Sequence, residues 1–181
     1  MVATLFTMLG LPGSGKSHFA RQLAAEVQAV WLNNDGVRSS AFHDPIKPEN
    51  LHNYKVVYGA MDYATHQILA SGHSVVYDAN VNHLQERKKN AKIAHALDAN
   101  AVTVWVKTPL AVAVERVQSR EVTAEQFRLT EETIDKHIAR FEEPTADEKC
   151  IIIDGTLPFD QQLLEFKSQL EELRDSTWQN Y

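Results

Sequence analysis

The sequence predicts an α/β fold, a three-layer sandwich in which helices flank a five-stranded, mainly parallel sheet. Two observations favour it. Strand-like and helix-like segments alternate through all 181 residues, which is typical of a parallel sheet. A glycine-rich turn also joins the first strand directly to the first helix. The length suits one domain, 1–181, with a small helical lid at about residues 110–130.

Five short, mostly apolar runs are the predicted strands. In chain order they are Thr4–Leu9, Ala29–Leu32, Ser74–Tyr77, Ala101–Val106 and Lys149–Ile153. Runs of this length that lack helical spacing favour strands over helices. The first run leads straight into the glycine-rich turn, which predicts a buried strand.

Apolar residues spaced three or four positions apart predict the helices. Phe19, Leu23 and Val27, for example, fall on one face of a helix that begins at Lys16. The predicted helices span residues 16–27, 51–71, 82–97, 108–120, a segment around 134–141, and 159–173. The two prolines within residues 41–49 predict a loop there.

Capping signals set the starts of two of these helices. Asn82 with Gln85 resembles a capping box. Thr108 before Pro109 predicts a hydroxyl cap followed by a first-turn proline.

Composition narrows the classes of protein. Apolar residues make up 44% and charged residues 23%, and the net charge is −6. Long nucleic acids are usually bound by a basic face, so this balance favours a small-molecule partner. Cys150 lies in an apolar run, which predicts a buried, reduced thiol. With no apolar stretch long enough to span a membrane and no signal-peptide pattern, the expected location is the cytoplasm.

The stretch from Gly10 to Ser17 matches the P-loop, or Walker A, pattern G-x-x-x-x-G-K-S in full. Its glycines, Gly10, Gly13 and Gly15, leave room for phosphates, and the helix that follows presents its positive end. Lys16 is expected on the β- and γ-phosphates of ATP, and Ser17 on Mg²⁺.

The sequence predicts less specific roles for Ser14, within the motif, and for His18, just after it. Ser14 is expected to contribute its backbone N–H to the phosphates. His18 is expected to pack beside the nucleotide or to be solvated.

Polar residues follow the second and third predicted strands, at the sheet edge where ligands bind in such folds. Asp35 is placed to accept a proton from an acceptor hydroxyl, and Arg38, one helical turn on, to hold an anionic acceptor or the transferring phosphoryl group. A helix cap with a solvated neighbour explains the pair about equally well. Asp78 is placed to hold Mg²⁺ through water, to bind the acceptor, or to be a turn aspartate. Arg87 is expected on a solvated helix face, with a role in the site as the alternative.

Arg116 and Arg120 are four residues apart, so they share one helix face. Arginines on a mobile element above the phosphates supply positive charge during transfer, and closure of that element excludes water. We expect both to bind the donor phosphates, with Arg120 acting in catalysis. An ordinary surface pair is the alternative.

Together these residues resemble the P-loop kinases related to the kinase domain of T4-type polynucleotide kinase and, more distantly, to zeta toxins. The resemblance covers roughly 4–153 and implies a five-stranded parallel sheet in the order 2-3-1-4-5. It implies that Asp35 is the base, that Arg38 contacts an acceptor phosphate, that Asp78 aids acceptor binding and that Arg120 contacts the donor phosphates. The negative net charge of −6 differs from the basic surface expected of a kinase that acts on nucleic acid.

The predicted function is an ATP- and Mg²⁺-dependent kinase that phosphorylates a hydroxyl of a small acceptor. Nucleic acid is a possible but unfavoured acceptor, and the acceptor and the oligomeric state stay open. The alternatives are a polynucleotide 5′-hydroxyl kinase, a zeta-toxin-like sugar-nucleotide kinase, and an ATP-binding regulatory module without transfer activity.

Overall fold

The computed structural model describes residues 2–42, 51–119 and 130–177. The five strands are β1 (Thr4–Leu9), β2 (Val30–Asn33), β3 (Val75–Asp78), β4 (Asn100–Lys107) and β5 (Cys150–Asp154). The helices in these ranges are α1 (Lys16–Glu26), α2 (Asn34–Ala41), α3 (Leu51–Ala70), α4 (Leu84–His95), α5 (Leu110–Ser119), α6 (Glu131–Ala139) and α7 (Phe159–Thr177).

The sheet is parallel throughout, in the order β2-β3-β1-β4-β5. Both the α/β class and this strand order were predicted, and both are confirmed. In a parallel sheet the carboxyl ends of all strands lie at one edge, where ligands bind. The register places Asn33, at the end of β2, directly opposite Asp78, at the end of β3. The polar residues that follow these strands therefore meet beside the loop that follows β1.

Alternate residues of β1 enter two separate cores on the two faces of the sheet. Phe6 and Met8 pack with side chains of α1 and α7, whereas Leu5 packs with side chains of α3 and α4. The rings of Phe6 and Phe166 meet edge to face with centroids 5.6 Å apart. Burying each such large side chain contributes about 1.5–3 kcal/mol, so helices on both faces fix the central strand.

Side chains of α7 cover the β5 edge of the sheet. The Gln169 amide accepts from the Ile152 N–H at 2.9 Å and donates to the Ile152 carbonyl at 2.7 Å. The Glu165 carboxylate accepts from the Asp154 N–H at 2.9 Å. Unpaired edge groups invite pairing with another chain, so α7 protects this edge with hydrogen bonds as well as apolar contacts.

Two helix starts differ from the predicted ones. An additional helix, α2, begins at Asn34 and is capped by Asn33, whose Oδ1 accepts from the Gly36 N–H at 2.8 Å. Asp35 lies in the first turn and is not the cap. At α4 the Glu86 carboxylate accepts from the His83 N–H at 3.1 Å, so the cap is His83 rather than Asn82. Side-chain caps compete locally, which makes a shift of one residue hard to foresee.

Cys150 is only partly buried, but burial is the main reason that its pKa rises to about 12, which keeps the thiol protonated.

In the three described ranges, each helix is too short or too polar to cross a lipid bilayer.

Candidate nucleotide and acceptor site

The loop between β1 and α1 has the backbone shape that its glycines were predicted to allow. Gly13 and Gly15 have φ angles of +82° and +94°, in the left-handed region that favours glycine. A Cβ atom on Gly13 would lie 2.1 Å from the Ala113 carbonyl oxygen of α5. The glycine is therefore needed for conformation and for the close approach of α5.

Two residues outside the motif hold the loop from behind. The Thr108 hydroxyl donates to the Ser14 carbonyl at 2.9 Å. It therefore braces the loop, rather than capping α5 as predicted. Gly155, just after β5, packs so closely that an added Cβ would lie 2.5 Å from the same carbonyl. Their contacts join segments far apart in sequence, so the motif does not reveal them.

Ser14 is built into the loop. Its N–H donates to the Leu11 carbonyl at 3.1 Å, so in this structure that N–H closes a turn of the loop. The expectation that it points toward phosphate does not match this geometry. The Ser14 hydroxyl is buried and has no hydrogen-bond partner among the described residues.

Ser17 is linked to the end of β3. Its hydroxyl donates to Asp78 Oδ1 at 3.1 Å, while Asp78 Oδ2 accepts from Asn33 Nδ2 at 2.8 Å and from Trp31 Nε1 at 3.3 Å. The Asp78 side chain is almost fully buried. Three donors compensate the burial of this carboxylate, so Asp78 is fixed behind Ser17.

A cavity of about 370 Å³ opens in front of the loop. The whole predicted loop lines it, and so do Asp35, Arg38, Asp78 and His18. The structure therefore brings these predicted site residues together around one space.

Asp35 and Arg38 form an ion pair at the cavity wall. Arg38 Nη2 lies 3.2 Å from Asp35 Oδ1, one turn apart on α2. The Arg38 side chain is only 12% exposed and that of Asp35 is 58% exposed. A carboxylate that is open to ligands is thus held beside a largely buried cation.

The cavity wall also contains residues whose role the sequence did not indicate. Asn80 Nδ2 lies 3.0 Å from His137 Nδ1 of α6, and the Tyr58 hydroxyl donates to the Asn80 carbonyl at 3.2 Å. All three residues line the cavity. Tyr58 has the spacing of a core position on α3, and His137 is distant in sequence, so only the fold reveals the cluster.

Asn82 also belongs to this wall. It is 4% exposed, and its Oδ1 has no hydrogen-bond partner among the described residues. A buried polar atom of this kind costs about 1–3 kcal/mol unless something satisfies it. Asn82 is also among the residues that line the cavity.

The pKa of His137 is lowered, first by burial and then by the positive charges of Lys16 and Arg140. A histidine in the last turn of a helix ordinarily gains stability as a cation. Here burial and the neighbouring cations outweigh that effect, so the ring is neutral at neutral pH.

Arg87 is buried, and the prediction of a solvated position is wrong. Its Nε and Nη2 donate to the two Glu148 carboxylate oxygens at 2.6 and 3.0 Å, and its Nη1 donates to the Asn82 carbonyl at 3.2 Å. The guanidinium therefore ties the turn after β3 to the segment before β5. A lysine-rich neighbourhood suggested solvent, but these distant acceptors compensate the burial of the charge.

The remaining predicted residues have mixed outcomes. Arg116 Nη1 donates to the Gly155 carbonyl at 2.9 Å, beside Gly15 of the loop. His18 Nε2 lies 2.9 Å from Gln22 Nε2 on the rim of the cavity. Arg120 and the part of the predicted lid at residues 120–129 lie outside the described residues, so their predicted roles are untested.

Comparison with known proteins agrees with this geometry. A family model described as an AAA domain matches residues 5–144. No curated protein sequence matches the chain significantly.

Several solved structures share the fold at low identity. A gluconokinase from Sinorhizobium meliloti is 19% identical, with 99% of this chain and 98% of that chain covered and a TM-score of 0.70. Kti12 from Chaetomium thermophilum, in complex with ADP-AlF3, is 20% identical, with 92% and 97% covered and a TM-score of 0.73. An APS kinase from Mycobacterium tuberculosis, in complex with AMPPNP and APS, is 19% identical, with 93% and 98% covered and a TM-score of 0.68. Because the family model spans more than half of the chain, this protein belongs to that AAA domain family, and its fold is that of a P-loop NTPase.

Proposed function

We propose that this protein is an ATP-dependent kinase that transfers the γ-phosphoryl group to a hydroxyl of a small acceptor. The observation that carries the proposal is the single cavity in which Asp35 and Arg38 face a complete P-loop. A site for nucleotide binding alone needs the loop, whereas a carboxylate and an arginine on the acceptor side suit transfer to a second substrate.

The donor side consists of the loop and its supports. Backbone N–H groups, the α1 N-terminus and Lys16 favour a polyanion at this position. Arg116 lies beside Gly15, which suits a contact with the donor nucleotide. We keep Arg120 as a donor-phosphate contact on the basis of the sequence alone.

The residues also fit Mg²⁺. The Ser17 hydroxyl donates a hydrogen bond to Asp78. The Ser17 oxygen can therefore act as a hard ligand of the kind that Mg²⁺ prefers. Ser17 would hold the ion, and Asp78 would orient Ser17 and any water bound to the ion. When bound, Mg²⁺ neutralises phosphate charge. This geometry favours a metal-side role for Asp78 over direct acceptor binding.

Asp35 is the proposed base and Arg38 the proposed anion contact. The exposed Asp35 carboxylate can accept a hydroxyl proton, while Arg38 steadies the transferring phosphoryl group or an anionic part of the acceptor. Arg38 already pairs with Asp35 at 3.2 Å. One guanidinium is thus placed to orient both the base and the substrate.

The acceptor is proposed to be small and polar. Amide and phenol groups of Tyr58, Asn80 and Asn82 line the proposed acceptor side of the cavity, which suits a polar acceptor. The net charge of −6 also disfavours a long polyanion. Gluconokinase and APS kinase, among the proteins of similar fold, have names that denote small substrates. A relationship to T4-type polynucleotide kinase or zeta toxins stays a hypothesis.

The test is ADP release from Mg·ATP against a library of hydroxyl metabolites, with oligonucleotides as a separate set. We expect acceptor-dependent ADP formation that falls by about 100-fold or more in Asp35→Asn, as loss of a general base predicts. Asp175→Asn is the matched control, because Asp175 is exposed on α7 and does not line the cavity. Transfer only to oligonucleotide ends favours a polynucleotide kinase. ATP binding without transfer to any acceptor favours a regulatory module.

A further inference from the structure

We propose that the neutral imidazole of His137 donates a hydrogen bond from Nε2 to the phosphoryl group in transit. This makes His137 a catalytic residue of the kinase proposed above, and the inference rests on that function. Three observations carry it: a hydrogen bond that sets the tautomer, a position beside Lys16, and a rigid support behind the ring.

The hydrogen bond to Asn80 sets which ring nitrogen carries the proton. The amide nitrogen Nδ2 can only donate, and it lies 3.0 Å from His137 Nδ1. With the amide in this orientation Nδ1 accepts, which assigns the proton of the neutral ring to Nε2. The described residues provide no partner for Nε2, which is directed away from Asn80 in a ring that lines the cavity.

The charge environment explains why this donor is neutral. Burial lowers the pKa of His137, and the charges of Lys16 and Arg140 lower it further. A cationic ring would repel the lysine that the P-loop directs at the β- and γ-phosphates. A neutral N–H instead adds a donor next to Lys16 without adding like charge.

The ring is also held from behind. Tyr58 donates to the carbonyl of Asn80, the residue whose side chain contacts His137. This support joins α3, the turn after β3 and α6. A donor that is positioned before the reaction stabilises charge on the transferring phosphoryl oxygens without reorganisation. Lys16 and His137, which line the same cavity, would then both contact that group.

The test uses two nucleotide probes, so it does not need the acceptor. Calorimetry would measure Mg·AMPPNP, which resembles the ground state, and Mg·ADP with aluminium fluoride, which resembles the phosphoryl group in transit. We expect His137→Ala to weaken the aluminium fluoride complex by about 10- to 100-fold, the range for a hydrogen bond to a charged group. AMPPNP binding should change by less than about 3-fold, because the contact forms mainly in transit.

Two further variants separate hydrogen bonding from packing. His137→Gln places an amide N–H near the Nε2 position and should restore most of the affinity for the aluminium fluoride complex. His95→Ala is the matched control, since His95 is exposed on α4 and does not line the cavity. Nitrogen NMR of histidine-labelled protein should show the Nε2–H tautomer for the one signal that is lost in His137→Gln.

The outcomes distinguish the two proposals. If wild-type protein fails to bind Mg·AMPPNP, the proposed function fails. If wild-type protein binds both probes, the inference about His137 is overturned by an unchanged affinity in His137→Ala, by equal affinities of the alanine and glutamine variants, or by an Nδ1–H tautomer.

Discussion

The two sides of the cavity are built in different ways. The phosphate-loop side is one continuous segment, residues 10–17, whose glycine conformations and following helix are local properties. The proposed acceptor side is assembled from α2, α3, the turn after β3, and α6. Its key contact, Asn80 with His137, joins residues 57 positions apart in sequence.

The two sides of the cavity therefore depend on different kinds of contact. The loop keeps its shape as long as β1 and α1 are packed and Thr108 and Gly155 support it from behind. An assembled wall depends on the links between its segments, and Arg87 is such a link, because it holds the Asn82 carbonyl and the Glu148 carboxylate together. Breaking that link tests the comparison most directly.

The largest expected effect is that of Arg87→Leu on stability. The change removes the guanidinium that donates to the Glu148 carboxylate and to the Val81 and Asn82 carbonyls. Removing one partner of a buried ion pair typically costs about 3–5 kcal/mol. Urea unfolding followed by circular dichroism should show this loss in the free energy of unfolding.

Lys92→Leu is the control for that change, because Lys92 is exposed on the same helix, and it should shift stability by less than about 0.5 kcal/mol. Removing both charges with Arg87→Leu/Glu148→Leu should recover part of the loss. A cost below about 1 kcal/mol for Arg87→Leu would mean that the link does not hold the acceptor side.

Lys16→Ala should strongly reduce phosphoryl transfer and hardly change folding stability, in contrast to Arg87→Leu. Loss of a cation from the phosphate-loop side should reduce the rate of ADP formation by about 100-fold or more, equivalent to about 3 kcal/mol. The free energy of unfolding should stay within about 0.5 kcal/mol of wild type. Lys92→Ala, at an exposed position on α4, is the control. Wild-type turnover in Lys16→Ala would contradict the proposed function.

The same difference explains what sequence reasoning could and could not reach. Alternating segments and the P-loop pattern are local, so they predicted the fold class and the donor side. Asp35 and Arg38 were expected near the loop because they come shortly after a predicted strand, and both line the cavity, while their catalytic roles stay predictions. The burial of Arg87 depends on Glu148, 61 positions away, and the site position of Tyr58 depends on Asn80, 22 positions away. A local sequence pattern cannot predict contacts between residues so far apart in the chain.

Lowering the pH below 4.5 should weaken the ion pair between Arg87 and Glu148 without any mutation. Burial alone would raise the pKa of Glu148, but hydrogen bonds from Arg87 and Thr145 and nearby positive charge lower it below the usual value of about 4.5. A depressed pKa adds stability that is complete above pH 4.5 and is lost as the pH falls through the lower, folded-state value. The stability difference between wild type and Arg87→Leu should therefore narrow below pH 4.5 in unfolding curves. A constant difference down to pH 2 would argue against the ion pair as the source.

The smallest expected effect is that of Tyr58→Phe, and it tests the support behind the acceptor wall. The variant loses one hydrogen bond, from the phenol to the Asn80 carbonyl at 3.2 Å, and keeps the ring that packs on the core. A bond of this kind contributes about 0.5–1.5 kcal/mol, so transfer should fall by only about 2- to 10-fold. Binding of Mg·AMPPNP should not change, because the phosphate-loop side does not depend on this bond. Tyr63→Phe, at a side chain that is 68% exposed, is the control. Equal losses of AMPPNP binding and of transfer in Tyr58→Phe would show that the two sides are coupled rather than separately built.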